Sequence, residues 1–485
     1  MAKISDFGRI FLLLLLSLVI INASRVRVRD VCVQGGGPAG MSMAAFLKDN
    51  GYDVLVLESQ STTGGHCDTF NFVPPSGQTD NWIDIGANGF WNSTALNAAG
   101  FGHWTLDNIA FINRFNPLGV GSIPALAVQN INIQNSSLAP PFPVTPEFGV
   151  SFQNWLNIMQ QYNWSDSGIF YGKIPTELLM TFKDYAILKN LNHMPDITHL
   201  YGFSGGFAYG NYSNILALNM ITSMSRVTMA IIGLAGPTGQ FQINGGCIQL
   251  YNGITNYLGS QNVITNAQVT KVKRHENGNR PIKIKGTANG EAFKYKCKKY
   301  VVAFPPVLEK IQFMNPDSLE TKLFKHVNYR YFYTGLLTNT TGPYQNSAGF
   351  FLNTDPSSTY YAPFVASVTT IGRLLPYGPY AIQLISPTEI TSAQARQIML
   401  DSLANMTSTV FHTYTLQTIF PHGNYGPHFD VESLSKNISP FAKLRDLQGH
   451  QNTYYIGALQ SMISASTYIW ERSKLMVDEY FPPVY

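Results

Sequence analysis

The chain has 485 residues and a formal charge of only +4, with charged side chains at 12% and aromatics at 13%. That length suits two or three sub-structures around a large core, and that weak basic balance gives no reason to expect a nucleic-acid partner. Four cysteines are too few for a disulfide scaffold, and ten histidines without His-x-x-x-His or Cys-x-x-Cys spacing point to no metal site.

The first segment is a targeting signal. Lys3 and Arg9 precede an apolar run from Ile10 to Ile21, closed by Asn22-Ala23-Ser24. The run falls short of the roughly twenty residues of a spanning helix, so residues 1–24 read as a cleaved secretory signal and the protein as secreted, with no stable membrane span. Asn-x-Ser/Thr acceptors at Asn92, Asn135, Asn163, Asn211, Asn339, Asn405 and Asn437 agree with a glycoprotein.

A βαβ opening follows. Val31-Cys32-Val33-Gln34 has strand composition and leads into Gly-x-Gly-x-x-Gly at Gly35, Gly37 and Gly40, with Pro38 and Ala39 inside the turn. Met41–Lys48 is helix-compatible, Gly51 stands where a helix end favours a left-handed residue, and Asp53–Leu57 is a second strand ending on Glu58. Glycines there admit a tight turn, backbone amides and a helix N-terminus meet a pyrophosphate, and the terminal acid accepts from a ribose. A dinucleotide-binding α/β fold is predicted. Gly64-Gly65-His66, only six residues beyond Glu58, is outside the minimal nicotinamide fingerprint and brings backbone to the cofactor a second time.

Residues 91–240 have another texture, rich in Asn, Phe, Tyr and Pro, with helices expected near Phe152–Gln161, Glu177–Asn190 and Ile215–Met229. Aromatics among glycines at Phe207, Tyr209 and Tyr212 read either as a tight turn over a core or as the wall of an apolar substrate pocket. Arg114, isolated among apolar residues, is a surface arginine or a clamp for a substrate carboxylate. Tyr251–Leu258 reads as a helix, Val263–Val272 as strand, turn and strand, and Lys294–Val302 as a strand. Strands are expected at Tyr329–Leu337, Phe350–Asn353 and Tyr380–Ile385, and a long helix at Thr391–Phe411. A strand ending at Gly457 and a helix over Ser466–Tyr480 close the chain. Cys32 and Cys67 read as packing residues, and a Cys247–Cys297 bridge is left open.

The glycine pair after Glu58, with Asp84-Ile85-Gly86-Ala87-Asn88, resembles the flavin-dependent amine oxidase superfamily. Most members carry Arg after that pair, where this chain has His66, and many carry Glu after the glycine at 457, where it has Ala458. The resemblance implies FAD, held by Gly35, Gly37, Pro38, Ala39, Gly40, Glu58, Gly64, Gly65, His66, Gly86, Ala87, Val269, Gly457, Ser466 and Thr467. It implies an FAD-binding Rossmann-like domain from 25–90, 241–309 and 441–485, interleaved with a sheet-and-helix substrate domain from 91–240 and 310–440. Gly64-Gly65-His66-Cys67, Tyr209-Gly210-Asn211-Tyr212, Phe420-Pro421-His422 and the tail Leu447–Gly457 are similar to the polyunsaturated fatty acid double-bond isomerases within it. That closer likeness implies a lipid substrate and double bonds moved into conjugation by hydride abstraction and return at flavin N5, with Phe207, Tyr209 and Tyr212 as pocket wall. The alternative is a secreted FAD-dependent amine or amino-acid oxidase releasing hydrogen peroxide, and a third reading is a secreted glycoprotein holding flavin without turnover.

Overall fold

Apolar, β-branched residues open the folded chain. Val28–Gln34 (β1) and Val54–Leu57 (β2) pair in parallel, with Val31 opposite Val54 and Gln34 opposite Leu57. Parallel neighbours need a crossover, and Pro38–Asp49 (α1) supplies it. Pro38 sits in its first turn, Ala39 through Leu47 are buried, and Gly51 beyond its end has φ +86°. The computed structural model describes residues 28–101, 103–123, 126–138, 145–191, 193, 215–233, 239–275, 278–353 and 366–484. The signal segment, Asn211 and the pocket-wall residues Phe207, Tyr209 and Tyr212 lie outside the described residues.

The helix Ile248–Leu258 (α2) packs on α1. Glu291–Val302 (β3) flanks β1 in parallel, while its first half runs antiparallel to Ile282–Ala288, which pairs with Ala267–Lys273. The short strand Thr453–Tyr455 lies against the end of β3, and Val263–Ile264 adds to β2. One seven-stranded sheet results, with α1, α2 and Ser466–Tyr480 (α3) packed together beside it. This is the α/β, Rossmann-like architecture expected.

A second seven-stranded sheet is built mainly from later sequence. Val327–Thr341 (β4) and Thr413–Phe429 (β5) are its longest strands; next to β4 come Tyr380–Ser386, Ser367–Arg373, Gly349–Asn353, Ala127–Asn132 and Ser137–Leu138. β5 is the edge strand, which is why Pro421, lacking an N–H, fits within it. Phe90–Trp91, Val120–Ser122 and Gln240–Ile243 form a small sheet between the two parts.

Several expected helices are shorter or broken. The segment Ile215–Met229 is two helices, Ala217–Ser223 and Arg226–Gly233, because Ser225 interrupts it and accepts from Thr228 N at 3.4 Å. The carbonyl of Met224, freed by the break, accepts from Trp155 Nε1 at 3.0 Å. Glu177–Asn190 is a 3₁₀ turn at Thr176–Leu179 and a helix at Phe182–Leu188, capped by Thr181. Thr391–Phe411 ends early, as Ser392–Asn405. The bridge left open as Cys247–Cys297 is instead Cys32–Cys297, joining β1 to β3, and Cys67 and Cys247 are free and buried. Asn135, Asn163, Asn339, Asn405 and Asn437 are exposed, whereas Asn92 caps the helix Ser93–Ala98. Among the described residues no helix is long and apolar enough to cross a membrane.

One buried ion pair ties the halves of the cofactor sheet to its surroundings. Arg274, just after Ala267–Lys273, meets Glu320 of the helix Ser318–Phe324 through both guanidinium nitrogens, one at 2.7 Å, and donates to Met314 O at 3.2 Å. Tyr455 donates its hydroxyl to the same carboxylate. With side chains 2% and 0% exposed, neither partner can turn to water when the other is removed. Glu320→Ala is therefore expected to cost about 3–5 kcal/mol, read as a lowered urea midpoint against the unsubstituted protein.

Candidate active site

The turn after β1 is made of backbone packed against backbone. Gly35 has φ +105°, and a Cβ on it would stand 2.8 Å from Ala303 O. A Cβ on Gly40 would stand 1.8 Å from Gly35 O, so α1 can begin this close to β1 only with glycine at 40. Gly37 caps α1 without any side-chain hydrogen bond, leaving the first-turn amides of Ala39 and Gly40 for a ligand. Across from them Gly64 N donates to Gly36 O at 2.8 Å, and the Gly65 backbone faces Gly37. The atom nearest to a Cβ on Gly37, chain neighbours aside, is Gly65 Cα at 3.7 Å.

Glu58 directly follows β2 and is buried, its carboxylate accepting from Gly36 N, from Gln60 N at 2.7 Å and from Ser59 Oγ at 3.1 Å. Its carbonyl accepts from Ala267 N at 2.7 Å, which brings the strand of Val269 beside the cradle; the register of that strand shifts just after Val269. His66 O accepts from Ala87 N at 3.0 Å, and a Cβ on Gly86 would stand 2.0 Å from the same oxygen. At the other end of the chain Gly457 has φ +137° and a Cβ on it would meet nothing within 4 Å. Ser466 opens α3, and Thr467 Oγ1, buried, accepts from Trp91 N at 3.2 Å.

The ring of His66 leaves this cradle and enters the second sheet. It lies edge-on to His422 with centroids 4.7 Å apart and against Tyr425 at 4.9 Å, both from β5. Phe332 of β4 stacks on Tyr425 at 4.7 Å and on His422 at 5.9 Å. His422 Nε2 is 3.1 Å from Thr334 Oγ1 and 3.3 Å from Asp68 Oδ2, an oxygen buried without a hydrogen bond. Burial pushes His66 down to about 4 and holds His422 well below the usual imidazole range, so both rings stay neutral at physiological pH. Burial also lifts the Asp68 carboxyl to about 6. Asp84 is raised by burial to about 7 although Thr69 and Cys247 N hydrogen-bond it. The thiols of Cys67 and Cys247 beside it are raised by burial, remain protonated and serve packing.

The predicted residues thus divide. Gly35 through Gly40, Glu58, Gly64, Gly65, His66, Gly86 and Ala87 come together around one cleft, and Gly457 opens toward free space. Arg114 stands elsewhere: its guanidinium makes two 2.6 Å bonds to Asp49 and covers the rings of Phe115 and Tyr257. The carboxylate it clamps belongs to this chain, at the end of α1. His422 entered the sequence reading only within the Phe420-Pro421-His422 likeness, with no role attached, and Asp68, Phe332, Thr334 and Tyr425 were given none. Only His66, at a position where arginine is usual, hinted at a different set of neighbours.

Residues 33–100 match the family of NAD(P)-binding Rossmann-like domains. The chain is 36% identical to the uncharacterized protein R656 of Acanthamoeba polyphaga mimivirus, over 98% of each chain. It is 24% identical to the FAD-dependent oxidoreductase pigF of Monascus ruber, over 93% of this chain and 91% of that one. The beta-cyclopiazonate dehydrogenase of Aspergillus oryzae is 23% identical, over 95% and 94%. A conjugated-linoleic-acid-producing fatty acid isomerase from P. acnes superposes with a TM-score of 0.72 at 18% identity, over 93% of this chain and 99% of that one. Wild-type putrescine oxidase with bound putrescine gives 0.59 at 15%, over 93% and 99%.

The cofactor is FAD. The uncapped start of α1, the Gly37–Gly65 gap and the unfilled side of Gly457 fit such a dinucleotide. Gly37→Val adds a side chain to that gap without striking protein backbone, so a folded but nearly colourless protein is expected. Flavin titration should give a Kd raised at least about tenfold, ~1.4 kcal/mol. By its near full-length likeness to the mimivirus protein the chain belongs to that protein's family, whose further sequence relatives include FAD-dependent oxidoreductases, and it shares its fold with putrescine oxidase.

Proposed function

We propose that the protein is an isomerase that moves double bonds of polyunsaturated fatty acids into conjugation. The observation that carries this reading is the ring face where His66 meets Phe332, His422 and Tyr425. FAD, when bound at the cradle of Gly35 through Gly40 and Glu58, would supply a hydride acceptor and donor, so that a hydride could leave a bis-allylic carbon and return at another with no net oxidation. Between those events the substrate is a delocalised pentadienyl cation. Rings with negative faces stabilise it, and two histidines kept neutral by burial add no opposing charge. The higher structural similarity to a fatty acid isomerase than to putrescine oxidase supports the same reading.

A second reading is net dehydrogenation. Its support is Asp68, whose buried Oδ2 makes no hydrogen bond and can take a proton, together with sequence relatives that include a dehydrogenase. Without oxygen, the isomerase converts an arachidonate-like acid with growth of conjugated-triene absorbance over many turnovers. A dehydrogenase stops after one equivalent of reduced flavin, and that outcome would overturn the isomerase.

Asp68 gives the reaction a pH dependence whose sign is fixed. Below about 6 its carboxyl is protonated and neutral; above, it is ionised and favours the substrate cation. Isomerisation should rise from pH 5 to 7 with a midpoint near 6. Asp68→Asn should remove that step and lower the rate at pH 7.5 by about tenfold, ~1.4 kcal/mol.

A further inference from the structure

The three antiparallel strands of the cofactor sheet carry lysines in register on their exposed face. Lys271, Lys285 and Lys294 are cross-strand partners, and so are Lys273, Lys283 and Lys296. Ile282, Ile284 and Val272, which alternate with them, are buried in the core beneath. Two rows of three ammonium groups result, with strands about 4.8 Å apart and rows about 6.8 Å apart. Like charges placed directly opposite one another destabilise a sheet. Among the described residues no carboxylate relieves them, for none of the six makes an ion pair, and Glu291, at the start of β3, is the one acid in the three strands. In a chain with so few charges this patch is an outlier.

We propose that this lysine face docks the protein on a lipid bilayer made anionic by the carboxylates of free fatty acids. The face is a plane of flexible point charges, which suits a headgroup layer; the Arg forks and aromatic faces that read nucleic acid are absent from its outward positions, which include Gln268, Thr287, Ala292 and, at the border, Lys298 paired with Asp30 of β1. The choice of fatty acid as the source of charge rests on the proposed substrate; the charge pattern itself does not.

The test measures partitioning of the FAD-loaded full chain onto phosphatidylcholine vesicles with and without about one fifth oleic acid, at alkaline pH. Oleic acid has no bis-allylic carbon, so binding is read apart from turnover. Binding to the oleate vesicles alone, weakened by salt, is expected. Lys283→Gln with Lys285→Gln should weaken it about 25-fold, roughly fivefold per lysine. Lys189→Gln with Lys436→Gln, removing the same charge elsewhere, should leave it unchanged. Equal binding to both vesicles, equal effects of the two double variants, or retention on heparin or RNA without vesicle binding would each overturn the proposal. A protein that binds oleate vesicles yet never conjugates polyunsaturated acids would overturn the isomerase reading alone.

Discussion

Where β1 turns into α1, backbone atoms approach to distances that exclude any side chain: Gly40 against the carbonyl of Gly35, and Gly35 against Ala303 at the end of β3. Everything else in the cofactor half is arranged by that contact. It fixes the start of α1 relative to the sheet, aims its free amides at the space in front of Gly65, and sets Glu58 at the rim. Because the approach is steric, it tolerates no compensating substitution nearby. The cofactor cradle is consequently specified by backbone sterics.

The ring face between the two sheets obeys a different constraint. Polar groups there are buried deeply enough that the neutral forms of His66 and His422 are favoured, while Asp68 and Asp84 titrate near neutrality. The two histidines keep hydrogen-bonding capacity without charge, and the two carboxyls are the groups whose charge changes near neutral pH. Where the fold does bury a permanent ion pair, at Arg274 and Glu320, it adds hydrogen bonds from Tyr455 to the carboxylate and from the guanidinium to backbone carbonyls.

Both departures in covalent and ionic pairing have the same origin. Cys32 pairs with Cys297 because β1 and β3 are neighbours in the sheet, a relation between residues 265 positions apart. Arg114 serves Asp49 because the fold brings together side chains 65 positions apart, with Tyr257 of α2 donating to the same carboxylate. The lysine rows were equally hidden: Lys-x-Lys alternation is unremarkable in one strand and becomes a charged plane only when three strands align in register.

The chain by itself determined the nucleotide-binding half. Turn glycines, a flanking strand, an amphiphilic crossover and a terminal acid are local patterns, each governed by backbone conformation within a few residues, and β1, α1, β2 and α3 fall where those patterns put them. Helices whose interruption depends on a distant partner, such as the break at Ser225 stabilised by Trp155, were not legible. Nor was the ring face, since His66, Phe332 and His422 come from three separate segments and acquire their chemistry only through shared burial. That burial, and the protonation states it imposes, is a property of packing between two sheets, which only the tertiary structure decided.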